Sequence, residues 1–175
     1  MTAPPMAHGT ASATVDTPVG PLALVLAQDG AVLASGFSDL ASLASRLGLA
    51  DVPPRAQADL VAPVAAAVQR YFDGDLTALD DVQVRQPGGA FSQAAWEQLR
   101  AISPGLPVTY AELARRAGSP GAARAAGQAC ARNLVAPFVP CHRVVPASGG
   151  VGSYAYGADV KSSLLAHERA VLAPG

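Results

Sequence analysis

Cysteine is nearly absent from this 175-residue chain: the two present, Cys130 and Cys141, both lie in its second half. No C-x2-4-C pair exists, so a zinc set drawn from Cys130, Cys141, His142 and His167 is set aside. The first half holds no cysteine and a single histidine, His8, and no metal site is expected there. No apolar run approaches the length of a membrane span. Residues 1–12, rich in Pro, Ala and Thr, lack the basic and apolar regions of an export signal and read as a flexible tail. The expectation is a cytoplasmic protein with reduced thiols and no membrane partner. Lysine is scarcer still, with Lys161 alone against eleven arginines, and alanine is abundant. That bias marks a GC-rich coding sequence rather than a fold. No internal repeat is found.

What is present divides into two halves of opposite charge. Residues 1–90 carry four Lys or Arg against nine Asp or Glu, a net of −5. Residues 91–175 carry eight against four, a net of +4, and the two halves together make the whole-chain value of −1. Phosphate binding needs a local basic surface rather than a basic chain, so the second half is the credible nucleic-acid face.

In the first half, residues 13–15 and 21–27 alternate or run apolar, Asp29-Gly30 signals a hairpin turn, and residues 31–37 return, which predicts a small sheet. Residues 40–47 and 54–71 are expected as helices, and residues 82–85 as a further strand. Gln86-Pro87-Gly88-Gly89 is the best linker, so the expected organisation is an α/β domain over 13–86, a linker at 87–90 and a second domain over 91–175. There, Phe91, Ala95, Leu99 and Ile102 mark a helix carrying Trp96.

Pro140-Cys141-His142-Arg143-Val144-Val145-Pro146 sets a thiol beside an imidazole and a guanidinium between two prolines. A thiolate is the nucleophile, and a free cysteine is mostly protonated at neutral pH, so His142 and Arg143 suit an activated sulfur. The alternative is a buried structural cysteine. The apolar residues 134–139 read as a buried extended segment delivering Cys141, and residues 149–157 as a mobile glycine-rich loop beside it. Gly150 to Ala155 also fits a relaxed dinucleotide fingerprint, but no strand precedes it and no βαβ unit contains it. Adjacent side chains diverge, so Cys141 and His142 call for a water relay rather than direct contact. The imidazole then needs a carboxylate behind it. Leu164, Leu165, Val171 and Leu172 follow helical spacing, and Glu168 lies on that same face. Glu168 pairs there with a buried histidine, or snorkels out to Arg169 or Lys161.

Thr109-Tyr110-Ala111-Glu112 has the form of a capping box opening a helix that Gly118 can end, and Ser119-Pro120 start another. Along that second helix Arg124, Gln128 and Arg132 form a polar face, and Ala122, Ala125, Ala126, Ala129 and Cys130 a small-residue face. Two short helices joined by a Gly-containing turn are a helix-turn-helix signature, and this polar face suits phosphates and base edges.

Together these segments resemble the O6-alkylguanine-DNA alkyltransferases, the methylated-DNA:protein-cysteine methyltransferases. The resemblance covers essentially the C-terminal half, through Pro140 to Val145, Asn133, Thr109-Tyr110, Ala122 to Ala125 and Leu164 to Glu168. It implies a ribonuclease-H-like N-terminal α/β domain and a mostly helical C-terminal domain with a helix-turn-helix. It implies repair of double-stranded DNA containing O6-alkylguanine, with O4-alkylthymine as a further candidate. The damaged base is flipped out and its alkyl group passes once to Cys141, without a cofactor or metal, in a protein expected to act as a monomer.

The resemblance also implies residue roles. His142 takes the thiol proton through water and Glu168 orients it. Asn133 braces the active-site turn, a role compatible with a left-handed helix cap. Tyr110 presses on the backbone and donates a proton to the leaving guanine; a core tyrosine is the alternative. Arg124 inserts where the base departs, against the alternative of a solvated helix face, with Ala123 and Gln128 beside it on the DNA. Cys130, Val144, Val151, Gly152, Ser153, Tyr154 and Ala155 wall the base pocket, though Cys130 equally suits helix packing. Apart from the resemblance, alternation along an extended loop turns Tyr156 to the same side as Tyr154, where it narrows or caps the pocket mouth, or else it points to solvent. Two rival classes remain: a non-catalytic lesion binder, which in related proteins has tryptophan at the position of Cys141, and a Cys-His thiol hydrolase.

Overall fold

The computed structural model of the chain describes residues 9–174. Its sheet is an antiparallel meander of β1 (Ala11–Val15), β2 (Leu22–Leu26) and β3 (Val32–Gly36), in the order β1-β2-β3. Strand side chains alternate between faces, and the central strand β2 is fully buried because both of its faces have work. Leu22, Leu24 and Leu26 point into the main core, whereas Ala23 and Val25 join Leu33, Ala34 and Leu43 in a smaller one. The expected tail lies, through His8, outside the described residues, and its boundary moves: Ala11 and Ser12 are already in β1.

Helix α1 (Leu40–Arg46) covers the smaller core, with Asp39 as its N-cap accepting from Ser42 N–H at 2.8 Å. Helix α2 (Ala58–Phe72) buries Val64, Ala67, Val68 and Tyr71, a stripe at helical spacing. It begins later than the sequence predicts, because Arg55 bridges Ser12 as an extension of the sheet. The strand expected over 82–85 shrinks to one parallel bridge between Val84 and Val32.

The second half is built on α3 (Ala90–Arg100), α4 (Tyr110–Arg116), α5 (Ala123–Arg132) and α6 (Ala158–Leu172), with a two-stranded parallel pair, β4 (Val108–Thr109) and β5 (Val144–Val145). Half of the expected capping box forms: Thr109 Oγ1 accepts from Glu112 N–H at 3.2 Å, but the Glu112 carboxylate turns to Arg115 and Arg116. The following helix starts at Ala123 rather than Ser119, because Gly121 sits at φ +85°, a left-handed conformation that no helix continues through. Ala126 and Ala129 face inward, and Trp96 of α3 donates from Nε1 to Ala129 O at 2.9 Å.

Residues 135–139 are buried and Leu134 half-buried, close to expectation, but the segment is not extended. Only Val135 bridges Ser35; Pro137 has no N–H for a ladder, and Val139 N–H closes a turn onto Val135 O at 2.9 Å. Along α6 the buried face is Lys161, Leu164, Leu165 and Glu168, while Val171 and Leu172, expected inward, run past the core and are exposed. One continuous core joins both halves, from Leu22 and Tyr71 through Trp96, Leu113 and Phe138 to Leu164. No helix among the described residues is long and apolar enough to cross a membrane.

Candidate active site

Pro140 leads into a single 3-10 turn, Cys141–Arg143, which parts the Cys141 side chain from those of His142 and Arg143. Cys141 faces a cleft of about 370 Å³ lined by Tyr110, Gly127, Cys130, Ala131, Ser153, Tyr154 and Ala155. His142 and Arg143 point the other way, into the core toward α6.

There Glu168, wholly buried, is the hub of a polar cluster. Its Oε1 lies 2.8 Å from His142 Nε2 and accepts from Arg143 Nη2 at 2.8 Å and from Tyr71 OH at 2.8 Å. Its Oε2 accepts from Arg143 Nε at 3.2 Å and Gly105 N–H at 3.2 Å. Burial works against the anion, but the hydrogen bonds and charge of His142 and Arg143 outweigh it, and the carboxyl titrates far below its ordinary range. Burial holds His142 below its usual value despite the carboxylate, with Arg143 and Lys161 acting in the same sense. A neutral imidazole that donates from Nε2 to Glu168 keeps its Nδ1 lone pair free, and Nδ1 is buried without a hydrogen-bond partner.

Arg143 therefore does not activate the sulfur, contrary to the sequence-based expectation; its guanidinium is spent on Glu168 and on Ile102 O, 2.8 Å away. Burial raises the Cys141 thiol, with Asn133 and Lys161 pulling it back. Base assistance, rather than a standing thiolate, is what this environment favours.

Residues 90–170 match the family model for the 6-O-methylguanine DNA methyltransferase DNA binding domain. A methylated-DNA–protein-cysteine methyltransferase of Mycolicibacterium paratuberculosis is 40% identical over 156 residues, covering 89% of this chain and 90% of the relative. The chain belongs to the methylated-DNA–protein-cysteine methyltransferase family. The namesake from Salmonella typhimurium shares 42% identity over 98 residues, 56% of this chain and 57% of its own. Among solved structures, the O6-methylguanine methyltransferase of Mycobacterium tuberculosis superposes with a TM-score of 0.75 at 31% identity, over 95% of this chain and 96% of that one. The same organism's protein in complex with DNA gives 0.75 at 34%, over 90% and 92%.

Asn133 ends α5 with φ −61° and ψ 117°, so it is extended rather than a left-handed cap, and its side chain braces the turn instead: Nδ2 donates to Val139 O at 2.7 Å. Tyr110 lies over Gly127 at the cleft wall, and burial raises its hydroxyl. Ala123 opens α5, and Arg124 and Gln128 stand exposed on its outer face.

Of the expected pocket residues, Cys130, Ser153, Tyr154 and Ala155 line the cleft; Val144, Val151, Gly152 and Tyr156 do not. Val144 is buried in β5. Gly152, at φ +74°, lies so close to Pro146 that a side chain would collide with it. Tyr156 neither narrows the mouth nor points to solvent. Its ring packs on Gly36, where a Cβ would overlap it, and its hydroxyl donates to Ser35 O at 3.2 Å and accepts from Arg46 Nη1 at 2.7 Å. The loop expected to be mobile is thus tied down by Tyr156, and by Lys161 Nζ, which donates to Ser153 O at 3.2 Å and Val144 O at 2.7 Å.

Tyr71, Lys161 and Arg46 are the participants that sequence reasoning missed. Lys161 had a legible signal, since the chain's one lysine stands seven residues before Glu168 on the same buried stripe. Tyr71 and Arg46 had none, because their partners are 97 and 110 residues away.

Proposed function

We propose that this chain is a DNA-repair transferase that removes an alkyl group from O6 of guanine in double-stranded DNA, by one irreversible transfer to Cys141. The observation that carries the reading is Cys141 in an open cleft, followed along the same turn by buried His142, whose Nδ1 is unpartnered and whose Nε2 is engaged by Glu168. His142 Nδ1, through a bridging water, accepts the thiol proton as sulfur attacks the alkyl carbon. The S–C bond forms, the C–O bond breaks and its electron pair stays with guanine. Tyr110 donates a proton toward the departing base, and proton return from His142 restores the phenol. The net products are a thioether and a neutral guanine. A thioether is a poor leaving group, so nothing regenerates the thiol and no cofactor enters.

A guanine inside a duplex cannot reach the cleft, so the base is flipped out, which costs a few kcal/mol. We assign α4 and α5 as the helix-turn-helix, with Arg124 holding the place of the departed base and Ala123 and Gln128 against the duplex. The +4 charge of residues 91–175 supports this face. The N-terminal unit, 13–86, is read as ribonuclease-H-like on its meander and flanking helices, joined through 87–90 to the transfer unit 91–175. The protein acts as a monomer in the cytoplasm.

Incubation with a duplex containing O6-methylguanine, followed by intact-mass and peptide analysis, tests this. One methyl group on Cys141 and none on Cys141→Ser is the expected result. Continued turnover, or a methyl on Cys130, overturns it.

A further inference from the structure

Gln86, in the stretch read from sequence as a linker, is held and oriented like an active-site residue. Its backbone carbonyl accepts from Gln93 Nε2 at 2.8 Å. Its side-chain Oε1 accepts from Leu134 N–H at 2.8 Å, and its Nε2 donates to Asn133 Oδ1 at 3.0 Å. Asn133 Oδ1 also accepts from Val135 N–H at 3.1 Å, and Asn133 Nδ2 donates to Val139 O, which in turn accepts from Cys141 N–H at 2.9 Å. An unbroken chain of hydrogen bonds thus runs from the linker to the residue that carries the sulfur.

Polarity makes this chain directional. Val139 O demands the NH2 end of Asn133, so Oδ1 must face donors. Gln86 is the side chain that supplies one, while its own carbonyl end meets the Leu134 amide. Reversing either carboxamide would set oxygen against oxygen and N–H against N–H, leaving buried or part-buried polar groups unpaired.

We infer that Gln86 is a positioning residue for alkyl transfer: it fixes the orientation of the Asn133 carboxamide and, through Val139, the placement of the Cys141 thiol. This rests on the reading of Cys141 as the alkyl acceptor. It makes the linker part of the transfer machinery rather than a passive tether.

Gln86→Glu separates the two contacts, because a carboxylate still accepts from Leu134 N–H but cannot donate to Asn133. It should slow single-turnover transfer from O6-methylguanine duplex by about tenfold, the equivalent of one hydrogen bond of about 1.4 kcal/mol. The midpoint of the rate–pH profile should move upward, with DNA affinity unchanged. Wild-type rate and profile in Gln86→Glu would overturn the inference. Because a carboxylate at this site can impair folding, a cycle of Gln86→Ala and Asn133→Ala provides a second decision. If Gln86 acts through Asn133, the double variant is no slower than Asn133→Ala alone; additive losses overturn the inference. Alkylation of Cys141 by iodoacetamide, measured in the same variants without DNA, separates this idea from the proposed function. Altered thiol reactivity in a protein that accepts no methyl group from DNA would sink the function and leave only the placement of the Cys141 thiol by Gln86 standing.

Discussion

Arg143 and Glu168 form a buried two-point ion pair, with Nη2 2.8 Å from Oε1 and Nε 3.2 Å from Oε2. This pairing adds to the burial that holds His142 below its usual value. A carboxylate facing histidine alone would pull the imidazole toward its charged form, useless for accepting a proton from sulfur. Burial is the main influence that holds the imidazole below its usual value, and the Arg143 charge acts in the same sense, so His142 gains an orienting acceptor at Nε2 and keeps a free lone pair at Nδ1. Arg143, two residues beyond the nucleophile, thus acts on the base and not on the thiol.

The relay makes a kinetic prediction. His142→Ala and Glu168→Gln should each slow single-turnover methyl transfer by about a hundredfold or more, in the range typical of general-base loss, while DNA affinity changes little. Single-turnover rates and binding isotherms on the same O6-methylguanine duplex check this. Unchanged rates in both variants would remove the relay from the mechanism.

Stability should fall on acidification, and the sign follows from two lowered titrations. His142 and Glu168 both titrate below their ordinary values of 6.5 and 4.5 in the fold, so the unfolded chain takes up protons first. Their contribution is complete above pH 6.5 and erodes as pH falls, first through His142 and then through Glu168. Urea midpoints measured against pH should show this slope. Glu168→Gln should flatten its lower part and cost about 3 kcal/mol or more at neutral pH, because Arg143 is left buried without its counter-charge. A pH slope identical to wild type would refute the assignment.

Arg124 stands on the outer face of α5, away from the sulfur. Arg124→Ala should reduce repair of duplex DNA by about tenfold or more yet leave reaction with free O6-benzylguanine nearly intact, since only the duplex requires flipping. Parallel rate measurements on the two substrates decide it. Equal losses on both would point to a folding defect.

Tyr156 connects the cleft wall to the N-terminal sheet: its ring meets Tyr154 edge-on at 5.5 Å while its hydroxyl bonds Ser35 and Arg46. Tyr156→Phe should lower stability by about 1–2 kcal/mol through the two lost hydrogen bonds. With the loop loosened, Tyr156→Gly should raise the rate on O6-benzylguanine relative to O6-methylguanine. An unaltered benzyl-to-methyl ratio would show that this tether has no bearing on pocket size.

Local chemistry was legible in the sequence wherever a short-range rule decided it. The sheet followed from apolar runs and the Asp29-Gly30 turn, and the start of α4 from Thr109, whose hydroxyl caps a helix three residues on. The reacting segment stood out because a thiol, an imidazole and a guanidinium rarely meet between two prolines. Helical spacing alone put Glu168 on the same face as Leu164 and therefore toward the core. Tertiary structure decided which partners those side chains found. Glu168 could have met Arg169, Lys161 or a histidine, and periodicity cannot rank them; docking α6 against the 3-10 turn brought His142 and Arg143 to it together. The same holds for Tyr156, whose direction no loop rule could specify until Gly36 offered a strand surface without a Cβ. It holds for Gln86 too, where a linker composition concealed a side chain whose donor and acceptor both match the turn that carries Cys141. Spacing along a chain constrains the face on which a residue lies, whereas hydrogen-bond partners separated by 48 or 97 residues are chosen only when the elements pack.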